Sequence, residues 1–231
     1  MAKVVKRRTK DTQSRRSINW VLIGGIVLVG VVALFALLFL SLQEPEIVDL
    51  RDFCADNEEN CVAFGPEDAT VTVIEVYDYA CPSCGVFTLS TADEIAESYF
   101  NHENVRWVYF PYSLPQYRNL STPTSAAALC MAEQGGDLFH EFHQGMFAIQ
   151  TAENAHTRPG FEQVAAEIGA DEEAFVECLD DGRYRNAVQE NIDVSGRAEI
   201  DATPSFFVNG EKFTNIGAFQ QIEQLVEPLL Q

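Results

Sequence analysis

Lysine is almost missing from this sequence. After Lys10 its 231 residues hold one more, Lys212, and the formal net charge is −20. Basic side chains gather at the front, where residues 1–19 carry seven (Lys3, Lys6, Arg7, Arg8, Lys10, Arg15, Arg16) against the single acid Asp11, which leaves −26 on the rest. Nucleic-acid binding needs clustered Lys and Arg for the phosphates, so the charge argues against a nucleic-acid partner. The acidity reads as a means of solubility, with a salty or acidic habitat as the alternative.

Charge of either sign is absent from Trp20 to Leu42, 23 residues in a row. At about 1.5 Å rise per residue a helix of that length reaches about 34 Å, enough for a hydrocarbon core of about 30 Å. A small-x-small cleavage site is missing too, since "LLFLSLQEPE" offers no Ala-x-Ala and the apolar run exceeds that of a signal peptide. The expectation is an uncleaved anchor over 20–42 in the cell membrane, with the basic tail 1–19 cytoplasmic and everything after Leu42 outside the cytoplasm. Residues 43–64 are expected to be a linker containing Cys54 and Cys61. Residues 65–231 are expected to fold as one globular domain.

A second C-x-x-C is also lacking. The six cysteines include one such pair, Cys81 and Cys84 in "YACPSCGVF", which is a metal clamp, a disulfide staple or a redox couple. A structural zinc site needs a second close pair or histidines at ligand spacing. His140 and His143 in "LFHEFHQGMF" could share a helical face, but the aromatic spacing around them suits an ordinary packed helix. No metal and no cofactor are expected. A staple here would close too small a loop to matter much for stability, which favours redox chemistry.

What is present has a readable order. "VTVIEVY" (71–77) has the length and β-branched content of a strand, and a helical pattern follows from about Pro82 to Phe100. "VRWVYF" (105–110) is a second strand that Pro111 should stop. Helical stretches near 123–135, 137–150, 161–168, 171–180 and 183–199 are broken by Gly135-Gly136, Pro159-Gly160 and Gly182. "SFFVNGEKFT" (205–214) predicts a β-hairpin, because Asn209-Gly210 suits the positive φ angles of a type I′ turn. A last amphipathic helix is expected over 217–230.

At the start of the first domain helix, Cys81 would meet unpaired N–H groups and the positive end of the helix dipole, which favour its thiolate. Pro82 suits the first helical turn, where its missing N–H costs nothing. Cys84, one turn further in, is the resolving cysteine. Glu75 interrupts an otherwise apolar strand; it is either buried beneath the cysteines, with a raised pKa, or exposed on an edge strand.

Taken in order, Glu75, Cys81-Pro82-Ser83-Cys84 and Thr203-Pro204 followed by "FFVNG" resemble the DsbA-like thiol:disulfide oxidoreductases of the thioredoxin superfamily, in the membrane-anchored form. The resemblance spans about 65–231. It implies an α/β thioredoxin fold with a helical insertion at about 115–199, preceded by one transmembrane helix. It implies the buried reading of Glu75 as a proton exchanger for Cys84. It also implies a cis bond before Pro204, with Thr203 free to pair with an extended substrate. Ser83 stands where strongly oxidising relatives carry histidine, which leaves the potential open.

The implied activity is the introduction of disulfides into unfolded exported polypeptides with free cysteines, and a membrane redox partner would reoxidise the dithiol. Alternatives are a thiol reductase or disulfide isomerase of the same fold, and a non-catalytic binding module, which would have no need of both sulfurs. The other four cysteines read as structural. Cys130 and Cys178 would close a 49-residue loop worth about 4 kcal/mol, and some relatives have a disulfide in the helical region. Cys54 and Cys61 would close eight residues, worth about 2.5 kcal/mol, with an electron relay through them as the alternative. Asn119-Leu120-Ser121 matches a glycosylation acceptor, a match short enough to arise by chance.

Overall fold

The structure is a computed structural model that describes residues 20–41 and 47–231. The basic tail 1–19 and residues 42–46 at the anchor–linker boundary lie outside the described residues. The chain divides into two units, Met1–Pro45 and Glu46–Gln231.

The first unit holds helix α1 (Trp20–Ser41), 22 residues with no charged side chain. Trp20, Ile26, Val29, Phe35 and Phe39 are exposed on it. Among the described residues no helix is long and apolar enough to cross a membrane.

The second unit is built on a five-stranded sheet in the order β1-β3-β2-β4-β5. Strand β2 (Val71–Tyr77) is buried at every position and lies at the centre. It pairs parallel with β3 (Val105–Pro111) and antiparallel with β4 (Ser205–Val208). Parallel neighbours need a long crossover, and helix α3 (Pro82–Tyr99) supplies it. The expected stop at Pro111 falls one residue late, because Pro111 pairs with Tyr77 as the last residue of β3. The ladder continues through Tyr112, whose N–H donates to the Tyr77 carbonyl at 2.8 Å.

β4 and β5 (Glu211–Thr214) form the expected hairpin, with φ of 49° at Asn209 and 87° at Gly210. The Asn209 side chain then fastens the turn to β2, since its Oδ1 accepts from Thr72 N–H at 2.8 Å. Helix α9 (Phe219–Val226) follows and ends in a 3-10 turn, Glu227–Leu229, so the last helix is shorter than its pattern.

The helical insert consists of α4 (Arg118–Ala132), α5 (Gly136–Ala148), α6 (Arg158–Glu167), α7 (Glu172–Asp181) and α8 (Arg185–Ser195). α4 starts five residues before the expected 123, because Pro123 lies inside the helix and does not open it. Cys130 of α4 is bonded to Cys178 of α7, and Gly182 ends α7 in a left-handed conformation, φ 60°.

The expected linker 43–64 is corrected by the fold. Residues Leu50–Asp56 form helix α2, capped by the Asp49 carboxylate accepting from Arg51 N–H at 2.8 Å. Val62–Phe64 forms β1, antiparallel to β3 with Val62 opposite Tyr109. The Cys54–Cys61 disulfide ties α2 to the residue just before β1. Asn191 of α8 then clamps this segment to the sheet, donating to the carbonyls of Asn60 at 2.8 Å and Pro111 at 3.1 Å. A three-residue strand is too short to show a period, which is why it is invisible in the sequence.

Candidate active site

The turn between β2 and α3 has only four residues, Asp78 to Cys81, and hydrogen bonds settle its path. Cys81 N–H donates to the Asp78 carbonyl at 3.0 Å, and Cys81 keeps an extended backbone, φ −81° and ψ 118°, as the residue capping α3. Pro82 follows at the first helical position. Gln150, beyond α5, donates to the carbonyls of Tyr79 at 2.7 Å and Cys81 at 2.9 Å and so ties the helical insert to the turn.

Cys81 and Cys84 are both free thiols here, in contrast with the other four cysteines. Cys81 Sγ lies 3.0 Å from Ser83 Oγ and 3.4 Å from the Thr203 carbonyl. Its pKa is lowered from 9.0 to about 4, first by a hydrogen bond from Cys84 and then by Ser83. Cys84 is pushed well above its ordinary value by burial and by the neighbouring sulfur. Its Sγ accepts from the Asp78 N–H at 3.5 Å. One sulfur is therefore held as a thiolate at neutral pH and the other as a thiol.

The peptide bond between Thr203 and Pro204 is cis, and the antiparallel pairing of β4 with β2 delivers this dipeptide beside the cysteines. Ser83 Oγ reaches the Thr203 carbonyl at 3.0 Å. A cleft of about 730 Å³ opens next to them, lined by Ser83, Thr203, Pro204, Lys212, Ile216 and Gly217.

Glu75 is 1% exposed and lies opposite Tyr109 of β3 and Phe206 of β4. The Phe206 ring stands 4.9 Å from that of Phe87 in α3, one turn below Cys84, so Glu75 shares the sheet face that α3 covers. Burial raises its pKa from 4.5 to about 8, partly offset by Trp107. Among the described residues its Oε1 finds no hydrogen-bond partner.

A second carboxyl, Asp78, escaped the sequence reading. It is fully buried, and its oxygens accept from Ala80 N–H at 2.8 Å, from Leu114 N–H at 2.7 Å and from the Ser121 hydroxyl in a short contact. The only signal in the sequence was an acid between a buried strand and C-x-x-C. Ser121 is also the last residue of the glycosylation match, and its hydroxyl is spent on Asp78. The two histidines take separate roles. His143 is buried with Nδ1 3.1 Å from the Tyr79 hydroxyl, whereas His140 Nε2 meets Gln144 at 2.9 Å.

A profile of the thioredoxin family matches residues 57–228. Disulfide bond formation protein D of Bacillus subtilis is 27% identical over 169 residues, which cover 71% of this chain and 74% of that protein. The Na(+)/H(+) antiporter NhaA 3 of Salinispora tropica is 30% identical over 149 residues, but these are 64% of this chain and only 21% of the antiporter. The crystal structure of oxidised BdbD from Bacillus subtilis matches with a TM-score of 0.62 at 25% identity, covering 74% of this chain and 94% of that one. With a thiolate at a helix start, a shielded thiol one turn on and a cis-proline beside them, the chain belongs to the thioredoxin family and is a DsbA-like thiol:disulfide oxidoreductase.

Proposed function

We propose that this protein is a membrane-anchored, extracytoplasmic oxidase that passes its Cys81–Cys84 disulfide to exported polypeptides and is reoxidised by a membrane redox partner. The observation that carries the direction is the stabilised Cys81 thiolate, held by Cys84 and Ser83. Whatever stabilises the thiolate stabilises the reduced pair, and a stable reduced pair makes its disulfide a strong oxidant.

In the forward reaction a substrate thiolate attacks Cys81 Sγ, the Cys81–Cys84 bond breaks, and Cys84 leaves and takes a proton that Glu75 is suited to supply. A second substrate thiolate attacks the substrate sulfur of the mixed disulfide. Cys81 leaves as a thiolate, and the pair has gained two electrons. The cleft beside Thr203 and Pro204 suits an extended chain presenting its cysteine to Cys81. Support for the anchor comes from the sequence alone, the charge-free run Trp20–Leu42 and the seven basic residues before it.

Equilibration with glutathione tests the direction. A potential above about −200 mV is expected, while a value near −270 mV or lower would make the protein a reductase.

A further inference from the structure

The buried carboxyl of Asp78 lies in the turn that carries the nucleophile, three residues before Cys81. Three donors point at its two oxygens, Ala80 N–H, Leu114 N–H and the Ser121 hydroxyl, which suits the ionised form. The same residue is bonded to both ends of the redox pair: its carbonyl accepts from Cys81 N–H at 3.0 Å and its N–H donates to Cys84 Sγ at 3.5 Å. A carboxylate fixed at that spot and shielded from water opposes a second negative charge on Cys81.

We propose that Asp78 restrains the nucleophile: its buried carboxylate disfavours the Cys81 thiolate and so makes the Cys81–Cys84 disulfide less oxidising than the rest of the site would. Burial raises the Asp78 pKa above its ordinary value against the three donors, and the Cys81 charge adds a smaller rise of the same sign, as two neighbouring negative charges require. The other titratable groups facing Asp78 are Cys84 from α3 and Tyr112 after β3, with Arg118 of α4 acting on Tyr112. Among the described residues no basic side chain bonds to the carboxylate, so no bonded cation offsets its charge.

The inference rests on Cys81 being the low-pKa nucleophile. In the reduction 2 GSH + E(S–S) → GSSG + E(S⁻)(SH) + H⁺, the carboxylate raises the free energy of the product that carries the thiolate. Asp78→Asn removes the charge and keeps the shape. Ser121→Ala removes one donor, which makes the carboxylate easier to protonate and weakens the restraint in the same direction.

The test is the titration of the Cys81 thiolate by its ultraviolet absorbance in the reduced protein, together with the glutathione equilibrium constant, for wild type and both variants. Asp78→Asn is expected to shift the glutathione equilibrium at pH 7 about threefold toward reduced enzyme, with a smaller change in the same sense for Ser121→Ala, while the half-ionisation pH, read where Asp78 itself takes up its proton, moves less. A glutathione equilibrium at pH 7 that is unchanged, or shifted toward oxidised enzyme, in both variants overturns the proposal and leaves Asp78 a loop brace. If Asp78→Asn does not fold, Ser121→Ala decides alone. A wild-type Cys81 that titrates near its ordinary 9.0 would instead overturn the reading of the nucleophile itself.

Discussion

At the residue scale, two sulfurs three positions apart are made chemically unequal. Cys81 caps the helix and meets Ser83, whereas Cys84 lies under it and is held as a thiol. Cys84→Ser should therefore accumulate reducible mixed disulfides through Cys81 in cell extracts run without reductant. Cys81→Ser should give none, and equal adduct levels would reverse the roles. A pH effect follows with a definite sign. The folded Cys81 pKa is depressed from 9.0 to about 4, so its contribution to the reduced protein is full above pH 9 and is lost as pH falls through 4. The melting temperature of the reduced form, taken relative to the oxidised form, should decline from pH 7 to pH 4. Glu75 works in the opposite sense, because its folded pKa is raised from 4.5 to about 8. Its burial takes nothing from stability below pH 4.5, and the loss builds as pH rises toward 8. Glu75→Gln should stabilise the fold, on the order of 3 kcal/mol at pH 7 in urea titrations, while slowing the release of mixed disulfides. A variant that is both less stable and fully active would contradict the assignment.

At the element scale, the disulfides brace what surrounds the site. Cys130 and Cys178 are 48 positions apart and join α4 to α7, while Cys54 and Cys61 are 7 apart and tie α2 to the residue just before β1. Loop-closure entropy then ranks them. Replacing the first pair by alanine should cost about 4 kcal/mol and the second about 2.5, with Cys81 still titrating as in wild type. Urea denaturation of the two double variants checks the order. These elements also mark how far the sequence could be read. β2 was legible because a seven-residue run rich in β-branched and apolar side chains, broken only by Thr72 and Glu75, stands just before C-x-x-C. The hairpin was legible because Asn209-Gly210 states its own turn. β1 was not, because three residues carry no period and only pairing with β3 makes them a strand. The start of α4 was not legible either, because the helix begins at Arg118 and carries Pro123 inside it, five residues before the stretch expected from 123.

At the scale of the molecule, an acidic domain follows a basic tail and an uncharged helix. If residues 20–42 are the anchor, full-length protein should resist alkaline extraction of membranes, and a chain beginning at Glu46 should appear in the soluble fraction with its glutathione equilibrium unchanged. Equal partitioning of the two would remove the anchor. The sequence by itself determined the C-x-x-C spacing at a helix start and the hairpin. Each depends on spacing within one element, which survives folding unchanged. Only the tertiary structure decided that Glu75 is buried, that the segment around Cys54 and Cys61 belongs to the sheet, and that Asp78 faces the cysteines. Leu114 and Ser121, 36 and 43 positions away from Asp78, donate to one carboxylate because β3 and α4 bring them there. No local pattern records a meeting of that kind, since the hydrogen bonds that define it join segments the sequence keeps apart.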